Sequence, residues 1–163
     1  YSLIKGGGIT EADQWRLTAD LAGSNGDITS NLERVDSTGF GYIGSGMSQS
    51  SGIFTFPSTG IYRVIVQAQL RMNSNLDYDV YLIANLTTNN SAYNEIFRAV
   101  GSMVDSGSIG QYTHSNSGLI DVTDTSNVKI KFTTDSFVNS NIILQGDTDK
   151  TETNFTFIRL GDT

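Results

Sequence analysis

The sequence predicts an all-β fold made of many short strands, and three observations predict it. β-Branched and aromatic residues are abundant while good helix formers are scarce. Apolar and polar residues alternate with a period of two in short runs. Between the runs stand Gly, Asn, Asp and Ser clusters that read as turns, the spacing of a sandwich, barrel or jelly roll. A chain of 163 residues suits a single core, and Pro57 is its only proline, so nothing reads as a linker between two domains. Residues 1–13 are read as an N-terminal arm joining an upstream segment, and residues 14–163 as one domain.

The first strand signal covers 14–21. There Trp15, Leu17, Ala19 and Leu21 alternate with Gln14, Arg16, Thr18 and Asp20, placing the indole on the buried face. Ser24-Asn25-Gly26-Asp27 reads as a tight turn, because Asn-Gly accepts the positive φ angles of a reversal. A strand is expected to return through 28–35. The Gly- and Ser-rich stretch 38–52 is read as an ordered loop with short edge strands, offering Phe40, Tyr42, Ile43 and Met47 to a core.

Phe54 and Phe56 alternate into Pro57, and Gly60 opens the strongest strand of the chain, over 61–72. Its alternation places Tyr62, Val64, Val66, Ala68 and Leu70 on one face and Ile61, Arg63, Ile65, Gln67 and Gln69 on the other. A wet face rarely carries two isoleucines. Periodicity leaves two explanations open: a second layer of the same chain covers them, or they form a subunit interface of mixed apolar and polar character. Further strands are expected over 77–86, 93–104, 118–122, 127–133, 139–145 and 154–160, with turns at Asn89-Asn90, Asp105-Ser106-Gly107 and Gly146-Asp147. About ten strands are more than a flat open sheet usually holds without splitting into two layers.

Composition excludes several function classes. The net charge of −7 argues against nucleic acid as a partner, because phosphate binding needs a basic footprint. No apolar run is long enough for a helical membrane span, and no membrane partner is expected. With no cysteine there is no disulfide, and only 17% of residues are charged, which leaves a polar but weakly charged surface.

The stretch Phe54-Thr55-Phe56-Pro57-Ser58-Thr59-Gly60-Ile61-Tyr62-Arg63-Val64 resembles the signature of the complement C1q and tumour necrosis factor superfamily, in which a phenylalanine and a short turn lead into Gly-x-Tyr-x-Phe. Phe56, Gly60 and Tyr62 match it, and Val64 stands where phenylalanine is usual. Residues 115–122 and 127–132 resemble two later strands of the family, and Phe155-Thr156-Phe157-Ile158-Arg159-Leu160 resembles its closing strand. The resemblance runs from about Trp15 to Leu160. It implies a ten-stranded jelly-roll β-sandwich, a closing strand beside the first, a sheet packed around a threefold axis, and no enzymatic activity. Trp15, Phe56, Tyr62, Val64 and Val66 are then core residues, and Ile61, Arg63, Ile65, Gln67 and Gln69 form the trimer interface.

Chemistry finds little footing in the sequence. His114 is the only histidine, read as a structural residue in a strand-entry turn, so zinc ligands of the usual kind cannot be assembled within one chain. The Gly-Ser runs lack the Gly-x-Ser-x-Gly elbow of a hydrolase, and no Gly-Lys-Ser or Gly-Lys-Thr follows Gly6-Gly7-Gly8. Carboxylates gather at Asp77 and Asp79, at Asp121 and Asp124, and at Asp147 and Asp149. Calcium is the one cofactor considered, with Asp147 and Asp149 as its candidates, against the plain reading of Asp-rich turns. Sequons occur at Asn85, Asn89 and Asn154.

The expectation from sequence is therefore a non-enzymatic homotrimer belonging to a virus particle, in a distant bacteriophage or viral branch of the superfamily. It would sit on the virion surface as a capsid decoration or fibre head, partnered by capsid or fibre proteins and by a host-surface glycan or protein. The weakly charged Gly-, Ser-, Thr- and Asn-rich texture is the ground for the virion. The competing reading is a secreted or cell-surface module that binds glycan or protein through its loops.

Overall fold

The computed structural model describes residues 8–23, 25–73, 77–103, 109–138 and 140–163. Among them there is no helix, and the strands number thirteen. Six are only two or three residues long: β2 (Leu21–Ala22), β3 (Gly26–Asp27), β4 (Leu32–Arg34), β5 (Ser48–Ser50), β6 (Ile53–Thr55) and β12 (Ile142–Leu144). The long ones are β1 (Ala12–Leu17), β7 (Gly60–Asn73), β8 (Asp77–Thr87), β9 (Asn94–Met103), β10 (Ile109–Val122), β11 (Lys129–Asp135) and β13 (Asn154–Gly161). About ten strands were expected; seven long strands and six short pieces form instead.

Two antiparallel sheets pack face to face. In the first, β7 is central: β10 pairs along its whole length on one side, while β13 and then β12 pair with it on the other. Beyond β13 lie β1 and β4, and beyond β12 lies β2. The second sheet runs β5-β6-β11-β8-β9, with β3 also on β11. β13 lies against β1, with Phe155 opposite Trp15, the placing implied for a closing strand.

The core is the inward face of both sheets. Tyr62, Val64, Val66, Ala68, Leu70 and Met72 of β7 are all buried, opposite Leu82 and Ala84 of β8 and Ile130 and Phe132 of β11. Phe132 stacks on Phe155 with ring centroids 4.1 Å apart, and Phe54 meets Trp15 edge-on at 5.3 Å. Such pairs add about 0.5–1.5 kcal/mol beyond their burial. The Tyr62 hydroxyl donates to the Ser58 carbonyl at 3.1 Å, and burial above all raises its pKa. Gly118 on β10 lets the layers close: a Cβ there would stand 2.8 Å from the Phe97 ring of β9.

Several expectations are corrected. The first strand stops at Leu17 rather than running to 21, because Thr18 donates its backbone N–H to Asn31 and the chain bends away; Ala19 is exposed. Trp15 is half-buried at the margin of the core, not inside it. Asn25-Gly26 makes no hairpin: β2 joins the first sheet and β3 the second, so the chain crosses between layers. Only Leu32–Arg34 of the expected return strand forms. Within 38–52, Met47 is buried and β5 forms at an edge, but Phe40, Tyr42 and Ile43 are exposed. Ile43 is held there by a two-way backbone bridge to Ala12. The expected arm also overlaps β1 at Ala12 and Asp13. The turn at Asp105-Ser106-Gly107 lies outside the described residues, as does Ser24.

Candidate subunit interface

The outward face of the first sheet is the surface whose chemistry is least like a solvated one. Alternation along β7 directs Ile61, Arg63, Ile65, Gln67, Gln69 and Arg71 away from the core. Register then assigns their neighbours, because residues opposite one another in an antiparallel pair share a face. Leu119 of β10 and Ile158 of β13 flank Arg63, Ser117 and Thr156 flank Ile65, and Asp121 lies beside Ile61. Leu160 joins this set, lining a shallow open depression with Arg63, Ser117, Gly118 and Leu119.

The face is graded along its length. Its Ile61 end is apolar, with Leu119 68% and Leu160 55% exposed and both isoleucines only partly covered. Its other end carries mainly amides and hydroxyls, with Ile109 exposed at the tip. Gln14 donates to Thr156 at 2.9 Å, Gln67 to the Glu152 carbonyl at 3.2 Å and Gln111 to Gln145 at 3.2 Å. Arg71 closes that end with Asp20 at 3.0 Å.

All five residues expected at an interface thus share one outward face, and Ile61 and Ile65 are not covered by the chain's own second layer. Sequence reading missed Leu119, Ile158, Leu160 and Asp121. Their signal was present in the alternation with Ile120 and Val122 and with Phe155 and Phe157, but only register shows that the strands adjoin β7.

Two buried ionic groups brace the margin of this sheet. Asp13 accepts from Arg34 Nε at 2.9 Å, from the Trp15 indole at 2.9 Å and from the Met47 backbone at 2.7 Å. It thereby ties the end of the 38–47 loop to β1, and Arg34 lies over the Tyr42 ring at 4.5 Å. Arg16, 1% exposed, meets Glu33 at 2.7 Å and Asp36 at 2.9 Å.

The remaining candidates separate. His114 is not in a strand-entry turn: it stands within β10 opposite Ala68 and faces inward against Gly101 of β9, its Nε2 buried without a partner among the described residues. Asp147 closes its own turn, accepting from the backbone N–H of Asp149 at 2.7 Å and of Lys150 at 3.1 Å. The bond from Asp149 is the main cause holding its carboxyl below the usual range. Asp124 likewise closes its own turn, accepting from the backbone N–H of Ser126 and from the side-chain amide of Asn127, each at 2.7 Å. Among the described residues no three His, Asp or Glu side chains are grouped to hold a metal. Asn154 is buried, Asn85 donates to Thr133, and Asn89 caps its own turn through Ser91 and Ala92, so all three sequon asparagines are engaged.

Comparison of the fold with solved structures finds close relatives in shape. A TNF from S. frugiperda, Eiger, superposes with a TM-score of 0.68 at 10% identity, covering 96% of each chain. Murine APRIL gives 0.64 at 14% identity, covering 92% of this chain and 98% of its own. The chain has the TNF/C1q-like jelly-roll fold. PRD1 vertex protein P5 shares it, with a TM-score of 0.55 at 18% identity over 95% of this chain and 100% of that one. No family model matches the sequence, and no curated protein matches it. Among the described residues, no helix is long and apolar enough to cross a membrane.

Proposed function

We propose that the protein is a non-enzymatic homotrimer serving as a structural or recognition component of a virus particle, a capsid decoration or fibre head on the particle surface. The observation that carries this reading is the outward face of the first sheet, where Ile61, Ile65 and Ile158, only partly covered by their own chain, stand with the exposed Leu119 and Leu160. Apolar side chains clustered this way mark a surface that another molecule covers.

A second copy is the fitting cover, in a head-to-tail sense. Exposed apolar residues lie at both margins of the sandwich and differ between them: Ile96, Val100, Ile109 and Tyr112 on β9 and β10, Ile9, Tyr42 and Ile43 beside β1. Unlike margins favour heterologous contacts, which form a ring where the rotation between copies closes. Three is the number at which TNF-like neighbours close. The likeness to a phage vertex protein, over nearly all of both chains, favours a particle as the place of work. Capsid or fibre proteins, and a host-surface glycan or protein, would be its further partners. Neither catalysis nor a cofactor enters the reading, and the engaged state of Asp147 supports leaving calcium out.

Sedimentation equilibrium tests the assembly: three chain masses are expected, and a stable monomer at micromolar concentration overturns it. Genes flanking the coding sequence test the particle, with capsid, portal or tail genes expected. A secreted or cell-surface binding module is the second reading, favoured by Phe40 and Tyr42, 53% and 52% exposed on one loop. Binding on a glycan array together with non-viral gene neighbours would select it.

A further inference from the structure

We propose that Arg63 of one copy and Asp121 of the next form an ion pair across the subunit contact, and that this pair fixes the alignment of one copy on the next. The inference rests on the trimeric reading above and adds to it the polar element that an apolar patch lacks. Arg63 is the exception among the described basic side chains. The other arginines all pair with carboxylates, and Lys129, Lys131 and Lys150 also have side-chain partners. Arg63 has neither hydrogen bond nor ion pair among the described residues, although it stands between Leu119 and Ile158 on the most apolar part of the face.

Asp121 matches it. It is exposed on the same face, one pair along β10 beside Ile61, and its carboxylate likewise has no partner among the described residues. It is also the one acidic residue that register places in the apolar cluster. Covering this face with a second copy would remove both groups from water. An unpaired guanidinium so buried is strongly unfavourable, whereas a paired one is tolerated and punishes every wrong alignment. Like charges gathered near a symmetry axis would add repulsion. A carboxylate supplied by the neighbour answers both problems, and in a head-to-tail ring each copy gives one Arg63 and receives one Asp121.

Charge reversal with subunit mixing tests the pairing. Arg63→Asp alone and Asp121→Arg alone are each expected to weaken trimers by roughly tenfold or more, read by sedimentation equilibrium. Mixing the two variants should recover trimers in part, because a mixed ring of three has two contacts between unlike subunits, which join opposite charges, and one between like subunits, which does not. The double variant should recover them in full. Recovery in the double variant with no gain in the mixture over either variant alone would place the pair within one chain and overturn the proposal. Unchanged trimers in Asp121→Arg would overturn it too, while leaving the trimeric reading intact. A monomeric parent protein would remove both.

Discussion

The two faces of β7 come from one stretch of chain and meet opposite fates. Inward, Tyr62, Val64, Val66, Ala68, Leu70 and Met72 are all buried, packed by β8, β11 and the phenylalanines of β13. Outward, Ile61, Ile65, Gln67, Gln69 and Arg71 are half-covered and Arg63 is exposed. The difference teaches that apolar character alone does not say who covers a residue. The inward face is satisfied by its own fold, so its energetics belong to folding. The outward face carries two isoleucines among Gln and Arg without a partner layer, and in the proposed trimer its energetics belong to assembly.

Four substitutions would break or sharpen that contrast, in decreasing order of effect. Val66→Asp buries an uncompensated charge beside Phe155 and should abolish folding, seen as loss of the β-sheet circular dichroism signal. Phe132→Ala removes a ring stacked on Phe155 and should cost about 3–5 kcal/mol in urea unfolding, with the fold retained. Ile65→Asp, one residue from Val66 but outward, should dissociate trimers while shifting the unfolding of the monomer by no more than about 1 kcal/mol. A monomer that unfolds outright with Ile65→Asp would show that the two faces are not separate.

The smallest effect concerns Glu152, beside the polar end of the outward face. Burial first, then the charges of Asp147 and Asp20, raise its pKa. A carboxyl raised on folding favours the folded state when protonated, and that contribution is lost as pH climbs through the raised value. Glu152→Gln should therefore melt slightly higher than the parent protein at neutral pH and equally below the ordinary carboxyl range. An identical difference at both pH values would assign the effect to packing instead.

Legibility in the sequence followed side-chain contrast. β7, β8, β11 and β13 alternate strongly between large apolar and polar residues, and their positions were readable to within a few residues. The first half of β10 was not, because Gln111 to Ser117 offers Gln, Thr, His, Ser and Asn in place of that alternation. It is a strand because β7 supplies fourteen residues of ladder beside it, a tertiary cause. The 38–47 loop misled for the converse reason. Phe40, Tyr42 and Ile43 look like core residues, yet the Asp13 and Arg34 network and the Ala12 bridge hold their backbone at the margin, where the side chains face outward. The interface set was half legible, since Ile61 to Gln69 follow from period two while Leu119, Ile158 and Leu160 join it only through strand neighbours distant in sequence.

The amino-acid sequence by itself determined the all-β class, the principal strands and the split of β7 into two faces, because each is written in local alternation and turn chemistry. Only the tertiary structure decided that β2 and β3 part into different sheets, that His114 faces inward, and that Arg63 and Asp121 share one surface without a partner among the described residues. Those outcomes depend on which strands pair and in what register, and pairing is settled by contacts between residues far apart along the chain, to which local pattern is blind.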